Sequence, residues 1–174
     1  MKKGRAILGA WIAIILFGLV FPAAYISASR LLDEALGAEI TPPDAVFAIA
    51  GAFFLTIGIF WVLWAYSYIH FAGRGSPIEA FGYALLPTEQ LVTTGPYAYT
   101  RNPMLLGYLF VLLGIAFYAN TISGLLLIPA IGIFAVIYIA VFEEAALAGR
   151  FPGQYRAYRR RVPMLFPRLR PSIP

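Results

Sequence analysis

The sequence predicts an all-α, polytopic membrane helical bundle of about four transmembrane helices, followed by a C-terminal cytoplasmic amphipathic helix. The first observation is composition: 61% of the 174 residues are hydrophobic and 12% are charged, which is about half the charged fraction of a soluble domain. The second is that four apolar stretches approach or exceed the roughly 20 residues needed to cross a bilayer. The third is that basic residues gather at the ends of these stretches.

The four predicted spans follow one another along the chain. The first runs from about Ala6 to Ala28, and the second from about Ala45 to Phe71; neither contains a charge. The third begins at Pro103 and is short, ending near Tyr118, and the fourth runs from about Ile122 to Phe142. Residues 1–72 are thus a pair of helices with their connecting loop. Residues 73–174 hold the other two helices and most of the polar motifs.

The basic residues predict the orientation. All of the 13 Lys and Arg residues except Arg30 fall on one side of the predicted membrane, and the positive-inside rule therefore places both termini in the cytoplasm. The basic N-terminus also resembles a signal peptide, but the apolar run after it is too long, and we expect it to be retained. The net charge of +5 indicates contact with membrane lipids and no nucleic-acid partner, because the basic residues flank apolar segments.

Glycine spacing predicts how the helices pack. Glycines seven residues apart make a small-residue stripe on one helix face, which suits close helix contact in membranes. The pairs are Gly51 with Gly58 and Gly107 with Gly114. Such stripes could serve the core of one chain or a homodimer.

Metal chemistry is disfavoured by composition. The chain has no cysteine and one histidine, which excludes thiolate ligands and argues against a histidine-based zinc site. His70, at the end of the second predicted span, is expected to be an interfacial residue. We therefore predict no metal site.

The first polar cluster lies before the third predicted span, where Gly95-Pro96 starts a turn. Pro103 suits the first position of a helix, and Asn102 before it is a natural N-cap. Free N–H groups at a helix N-terminus bind anions, and Arg101 beside them would add positive charge. A capped helix with an interfacial arginine explains the same residues, so both interpretations stay open.

Two adjacent acids, Glu143 and Glu144, directly follow the fourth predicted span. Carboxylates at the end of an apolar run are costly unless they are hydrated or paired, and acids at a helix C-terminus oppose the helix dipole. A positive partner would explain them, either an ammonium or sulfonium ligand or the nearby arginines. A solvated helix end is the alternative.

The C-terminal segment carries tyrosines and arginines at helical spacing. Tyr155, Tyr158 and Arg161 are three residues apart, so a short helix would align them on one face. This pattern is typical of an amphipathic helix on a membrane surface. A role in a functional site is the other interpretation.

These clusters, in this order and spacing, resemble the isoprenylcysteine carboxyl methyltransferases and the related phospholipid methyltransferases, which are integral membrane enzymes. The matching elements are Gly95-Pro96-Tyr97, Arg101-Asn102-Pro103, Glu143-Glu144-Ala145-Ala146-Leu147 and the run from Tyr155 to Pro163. Gly73-Arg74-Gly75-Ser76-Pro77 and Leu91-Val92-Thr93-Thr94 also look like the family's upstream segment. The resemblance covers about residues 73–168.

The resemblance implies an enzyme that uses S-adenosyl-L-methionine to methylate a lipophilic, membrane-embedded acceptor, either isoprenylcysteine carboxylate-like or phospholipid amine-like. The cofactor would lie in a cytoplasmic pocket covered by the C-terminal segment. The implied cofactor-binding residues are Tyr97, Arg101, Asn102, Pro103, Gly107, Glu143, Glu144, Leu147, Tyr155 and Tyr158. The implied catalytic residues are Arg161, which would orient a carboxylate acceptor, together with Glu144 and Arg101.

Two departures from the family pattern concern the acceptor. Asn102 stands where the eukaryotic carboxyl methyltransferases have His, and Leu105 stands where the family often has Tyr. Tyr108, one helical turn further on, is a candidate to fill that space. The alternatives are an NADPH-dependent membrane reductase like the steroid 5-alpha-reductases and a non-catalytic lipid-binding membrane protein.

Overall fold

A computed structural model of the chain describes residues 11–12, 14–38, 42–74, 79–80, 83–84 and 88–172. The basic residues of the N-terminus, the start of the first predicted span and residues Gly75 to Pro77 of the family-like segment lie outside the described residues. The helical elements, in chain order, are a π-helical turn at Leu16–Val20, α1 at Phe21–Ala35, α2 at Ala45–Phe71, a 3-10 turn at Gly95–Ala98, α3 at Pro103–Ala119, α4 at Ile122–Tyr138, a second π-helical turn at Ile139–Glu143, α5 at Glu144–Arg150 and α6 at Pro152–Arg161.

Three helical stretches are long and apolar enough to cross a membrane: Leu16–Ala35, Ala45–Phe71 and Ile122–Arg150. The apolar helix α3 has 17 residues, which makes about 25 Å of helix against a hydrocarbon core of about 30 Å. Many large apolar side chains of the long helices face outward, where lipid would cover them. The described residues therefore confirm a polytopic helical membrane bundle, and α3 is short, as the sequence indicated.

The ends of the helices depend on polar partners. Helix α2 begins and ends where the sequence placed the second span, and the Asp44 carboxylate caps it by accepting the Phe47 N–H at 2.8 Å. Helix α1 continues to Ala35, seven residues past the end predicted at Ala28. It can continue because Asp33 is buried and hydrogen-bonded to other parts of the bundle.

Helices α2 and α3 form the most extensive packing among the described residues, and the predicted glycine pairs lie at their crossing. A Cβ on Gly51 would lie 3.0 Å from the carbonyl oxygen of Gly114, and a Cβ on Gly58 would lie 2.6 Å from that of Gly107. Backbone therefore meets backbone at two levels, which any larger residue would prevent. Both glycine stripes are used within one chain.

Helix α1 packs against α4, and polar contacts join them at the end of the bundle where α1 ends. The Asp33 carboxylate accepts the Thr121 hydroxyl at 2.5 Å and the Ser123 N–H at 2.8 Å. About two turns earlier in α1, the Tyr25 hydroxyl donates to the Gly124 carbonyl at 2.8 Å. Thr121 is the N-cap of α4. Asp33, on α1, therefore places a carboxylate at the start of α4, where the helix dipole favours a negative charge.

The first π-helical turn is joined to α3 by Tyr108, whose hydroxyl donates to the Phe17 carbonyl at 2.9 Å. The Tyr108 ring also contacts the rings of Phe17 and Phe21. The turn precedes Pro22, whose missing N–H disturbs the helical hydrogen bonds. Tyr108 is thus in contact with the first helical stretch, and its use in place of the family tyrosine missing at Leu105 stays a prediction.

The connection between α2 and α3 contains a small antiparallel pair of strands, β1 at Glu79–Ala80 and β2 at Tyr83–Ala84. Strand β1 lies beside the second π-helical turn. The pair brings the connection over the end of α4, at the end of the bundle where α2 ends and α3 begins.

Candidate active site

The C-terminal helix α6 packs onto the end of the bundle where α2 ends and α3 begins, which we call the tail end. Its buried residues form one hydrophobic cluster with α2 and the 3-10 turn, made by Ala65, Tyr97, Tyr155, Tyr158 and Val162. The Tyr158 hydroxyl donates to the Tyr97 carbonyl at 2.7 Å. Helix α6 is therefore part of the folded bundle as well as a basic surface helix.

Gly95, the first residue of the 3-10 turn, allows this turn to pack against the hydrophobic cluster. Gly95 has a φ of +58°, and a Cβ there would lie 2.3 Å from the ring of Tyr68. Only glycine combines this left-handed backbone with such a close ring. Pro96, Tyr97 and Ala98 follow as buried residues, so the Gly-Pro-Tyr motif serves to carry Tyr97 into the cluster.

Three tyrosines of the cluster keep their protons at neutral pH. Burial raises the pKa of Tyr97, Tyr155 and Tyr158 well above the ordinary value of 10. For Tyr155 the neighbouring Glu144 carboxylate raises the pKa further, and for Tyr97 Tyr158 and Glu143 do so. These hydroxyls are therefore neutral hydrogen-bond groups and cannot act as general bases at neutral pH.

An ion pair lies beside the tyrosines. Atoms Nη2 and Nε of Arg101 lie 2.7 and 2.9 Å from Oε1 of Glu144, and the two side chains are only 9% and 4% exposed. Arg159, on α6, approaches the other oxygen of Glu144 with its Nε at 3.4 Å. The arginines are thus one of the two kinds of partner that the sequence left open for Glu144.

Arg101 also holds the last turn of α6 and the residues after it. Its Nη1 donates to the carbonyls of Val162 at 2.6 Å and Arg159 at 3.2 Å, and its backbone N–H donates to the Pro163 carbonyl at 2.9 Å. Its guanidinium is thus hydrogen-bonded inside the protein. The anion-binding interpretation requires a free positive charge at the start of α3, and Arg101 does not supply one.

Asn102 occupies the N-cap position of α3, but its side chain does not cap the helix. Its carbonyl accepts the first helical hydrogen bond, from the Leu106 N–H at 3.1 Å. Its side-chain amide donates instead to the Met164 carbonyl at 3.0 Å, beside the Thr100 hydroxyl, which donates to the same oxygen at 3.0 Å. The prediction that Asn102 is the N-cap residue is confirmed by position, but its side-chain oxygen caps no backbone N–H, because the bond to Met164 turns the amide toward the C-terminal residues.

The fold places the other predicted site residues in different surroundings. Glu143 is half-buried at the end of the second π-helical turn, and Leu147 is half-buried against the tyrosine cluster. Pro103 is buried at the start of α3. Gly107 faces α2, where a Cβ would lie 2.8 Å from the Gly58 carbonyl oxygen. Arg161 is exposed, outside the cluster.

Sequence reasoning missed Arg159 and Thr100. Arg159 lies four residues after Tyr155, so helical spacing could have placed it on the face that meets Glu144. Thr100 carries no such signal, because its partner, Met164, lies 64 residues away. His70, in contrast, lies exposed in the last turn of α2 and stacks on Tyr66, as expected for an interfacial residue.

Comparison with protein families gives these residues a context. The family model of phospholipid methyltransferases matches residues 46–154. The chain belongs to the phospholipid methyltransferase family. The match contains the ion pair of Arg101 with Glu144 and ends just before Tyr155. It confirms the resemblance drawn from the motifs and favours methyl transfer over the reductase alternative.

Two curated proteins are similar to the chain. Methanethiol S-methyltransferase 2 of Bradyrhizobium diazoefficiens is 32% identical over 138 residues, which cover 73% of this chain and 51% of that protein. Cobalt-zinc-cadmium resistance protein CzcN of Cupriavidus metallidurans is 26% identical over 166 residues, which cover 93% of this chain and 64% of that protein. The chain thus spans between about half and two thirds of these relatives. No solved structure matches it.

Proposed function

We propose that this protein transfers a methyl group from S-adenosyl-L-methionine to a lipophilic acceptor at the tail end of the bundle. The observation that carries the proposal is the acid pair Glu143-Glu144 at the end of a membrane helix, next to three buried tyrosines. Membership in the phospholipid methyltransferase family supports it. The residues fit a cofactor of this charge, since carboxylates suit its cationic groups and aromatic rings suit its adenine.

When bound, the cofactor supplies a methyl group on a positively charged sulfur. The chain's own contribution is to position both reactants, because an in-line displacement depends mainly on approach and alignment. The acids Glu143 and Glu144 would hold its cationic groups, and the packed tyrosines and α6 would keep water from the reacting atoms. The transfer would give the methylated acceptor and S-adenosylhomocysteine.

Three acceptor classes fit this chemistry, and they differ in what the site must do. A carboxylate is already nucleophilic, a thiol reacts as its thiolate, and an ammonium must first lose a proton. The similar methanethiol S-methyltransferase 2 supports a thiol, whereas the family description supports a phospholipid. Since the tyrosines stay protonated, Glu143 is our candidate for assisting proton loss.

We further propose that both termini and the site face the cytoplasm. All Lys and Arg residues except Arg30 support this orientation. Because the chain has no cysteine, Ser172→Cys and Gly37→Cys give clean single labels. In intact cells a membrane-impermeant maleimide should label Gly37→Cys and spare Ser172→Cys; the reverse labelling would contradict the orientation.

The function is tested by binding and transfer. Detergent-purified protein is titrated separately with S-adenosyl-L-methionine and with NADPH, and is then incubated with methyl-labelled cofactor and a prenylated cysteine, phosphatidylethanolamine or a long-chain thiol. We expect saturable binding of S-adenosyl-L-methionine alone and label on one acceptor class. Folded protein that binds no S-adenosyl-L-methionine would overturn the proposal, and NADPH binding in its place would indicate the reductase.

A further inference from the structure

Arg30 is a charged residue in a membrane helix, far from the candidate active site. It lies in α1, between one and two turns before the helix ends at Ala35, and it is the exception to the charge asymmetry of the 13 Lys and Arg residues. A charge in a membrane helix costs free energy unless it has a partner or reaches the interface. Arg30 is exposed, and no carboxylate among the described residues forms an ion pair with it.

The acids that follow Arg30 on α1 do not neutralise it. The Asp33 carboxylate is buried and accepts hydrogen bonds from Thr121 and Ser123. Glu34 lies one turn after Arg30, a spacing that suits an ion pair on a helix, but it is exposed and forms no ion pair within the described part of the chain. The guanidinium is therefore available to an anion from outside these residues.

An open cavity of about 300 Å³ lies beside the guanidinium, a volume at the lower end of those of ligand cavities. It is lined by Ile26, Arg30, Leu55, Ile115, Tyr118 and Ala119. On α1, Ile26 lies one turn closer to the middle of the bundle than Arg30, and on α3, Ile115 lies one turn closer to the middle than Ala119. The deep part of the cavity is therefore apolar, and its positive charge lies at the shallow end.

The helix packing explains why this space exists. Among the described residues, α1 packs against α4 and α3 and hardly contacts α2. The cavity lies between α1 and α2, and α3 supplies half of its lining. Water is a poor occupant, because the deep part offers it no polar partners. A hydrocarbon chain that enters from the bilayer would bring α1 and α2 into contact with a common apolar surface.

We infer that the cavity binds one phospholipid of the surrounding bilayer, with the lipid phosphate on the Arg30 guanidinium and part of one acyl chain against Ile26 and Ile115. An arginine fork matches the oxygens of a phosphate, and the order of apolar depth and shallow charge matches an anionic headgroup above its chain. Ile115 lies about 20 Å along α3 from Asn102, so this lipid is a bound component and not the methyl acceptor. The inference does not depend on the proposed function.

The experiment follows lipid binding to the delipidated chain in a maltoside detergent, by thermal unfolding and by native mass spectrometry. The probes are phosphatidylglycerol, a diacylglycerol with the same acyl chains but no phosphate, and oleate. Arg30→Met removes the charge and keeps an apolar side chain, and Ala119→Leu fills the shallow end of the cavity. Arg156→Met is the matched control, because Arg156 is an exposed arginine on α6, at the tail end.

We expect phosphatidylglycerol to raise the unfolding midpoint of the wild type and of Arg156→Met, because a ligand that binds only the folded state stabilises it. Both proteins should retain one lipid in the mass spectrometer. Arg30→Met should bind phosphatidylglycerol about tenfold or more weakly, the effect of one charged contact. Ala119→Leu should lose the retained lipid, and diacylglycerol should bind the wild type about as weakly as phosphatidylglycerol binds Arg30→Met.

Four outcomes would overturn the inference. Wild-type affinity for phosphatidylglycerol in Arg30→Met would remove the phosphate contact, and wild-type affinity in Ala119→Leu would place the lipid elsewhere on the surface. Equal binding of diacylglycerol and phosphatidylglycerol would mean that only hydrocarbon is recognised. Tighter binding of oleate would assign the cavity to a fatty acid. If Arg30→Met failed to fold, Ala119→Leu and the comparison of the two glycerolipids would still decide the question.

Discussion

The backbones of Gly58 and Gly107 touch across the crossing of α2 and α3. A Cβ on Gly58 would lie 2.6 Å from the Gly107 carbonyl oxygen, and a Cβ on Gly107 would lie 2.8 Å from the Gly58 carbonyl oxygen. The contact is reciprocal, and both neighbouring atoms belong to the main chain, which cannot rotate away. The separation of the two helices is therefore set at this point.

Gly58→Ala should destabilise the bundle, because the added methyl group forces α2 and α3 apart. Overpacking of this kind costs about 1–3 kcal/mol, and it should lower the thermal unfolding midpoint in detergent. Gly149→Ala is the matched control, since nothing lies within 4 Å of a Cβ there and alanine favours a helix. An unchanged midpoint in Gly58→Ala would contradict the close crossing.

Asp33→Ala should weaken the junction of α1 with α4. The change leaves the buried Thr121 hydroxyl and Ser123 N–H without their acceptor, and each unsatisfied group costs about 1–3 kcal/mol. The measurement is the free energy of unfolding in mixed micelles. Glu34→Ala removes the neighbouring exposed acid and should have little effect. Equal losses in the two variants would mean that charge, and not the buried contacts, explains the result.

Tyr158→Phe should loosen α6 while keeping its packing. It removes the hydroxyl that donates to the Tyr97 carbonyl at 2.7 Å, a change worth about 0.5–1.5 kcal/mol. Faster hydrogen exchange in residues 155–162 would report it. Tyr66→Phe alters a tyrosine that is 38% exposed and should leave exchange in α6 as it is.

Stability should fall at alkaline pH because of the buried tyrosines. The pKa of Tyr97, Tyr155 and Tyr158 is raised above the unfolded value of 10, so above pH 10 the unfolded chain releases protons that the folded chain retains. The stabilisation is complete below pH 10 and is lost as pH rises through the folded pKa values, at up to about 1.4 kcal/mol per pH unit for each tyrosine.

Absorbance of tyrosinate and unfolding midpoints, both followed against pH, check this expectation. A late-titrating phase should appear well above pH 10, and Tyr158→Phe should reduce its amplitude. If all 11 tyrosines titrated together near pH 10, the cluster would not be closed to water.

The sequence predicted those features that depend on local pattern. The limits of α2 follow from a charge-free run preceded by Asp44, and the glycine spacing predicted close helix contact, within one chain or in a homodimer. Pro103 was correctly placed at the first position of a helix. Each of these rests on hydrophobicity, residue size or backbone preference, which act within a few residues of the chain.

The remaining features depend on partners far away in the chain. Helix α1 extends past its predicted end because Asp33 finds Thr121, 88 residues later. The Asn102 side chain donates to the carbonyl of Met164, 62 residues later, and caps no N–H of α3. The motifs identified Arg101 and Glu144 as important residues, yet their pairing across 43 residues was one of two options. Local chemistry defines the available donors and acceptors, and the fold selects among them.

The π-helical turn at Ile139–Glu143 has a consequence for the rest of the chain. Such a turn amounts to one extra residue in a helix, and each residue rotates a helix by about 100°. The angular phase between the lipid-facing surface of α4 and the inward surface of α5 is therefore set by a single insertion. Losing one codon in this turn would rotate one surface relative to the other, a larger disturbance than any single replacement there.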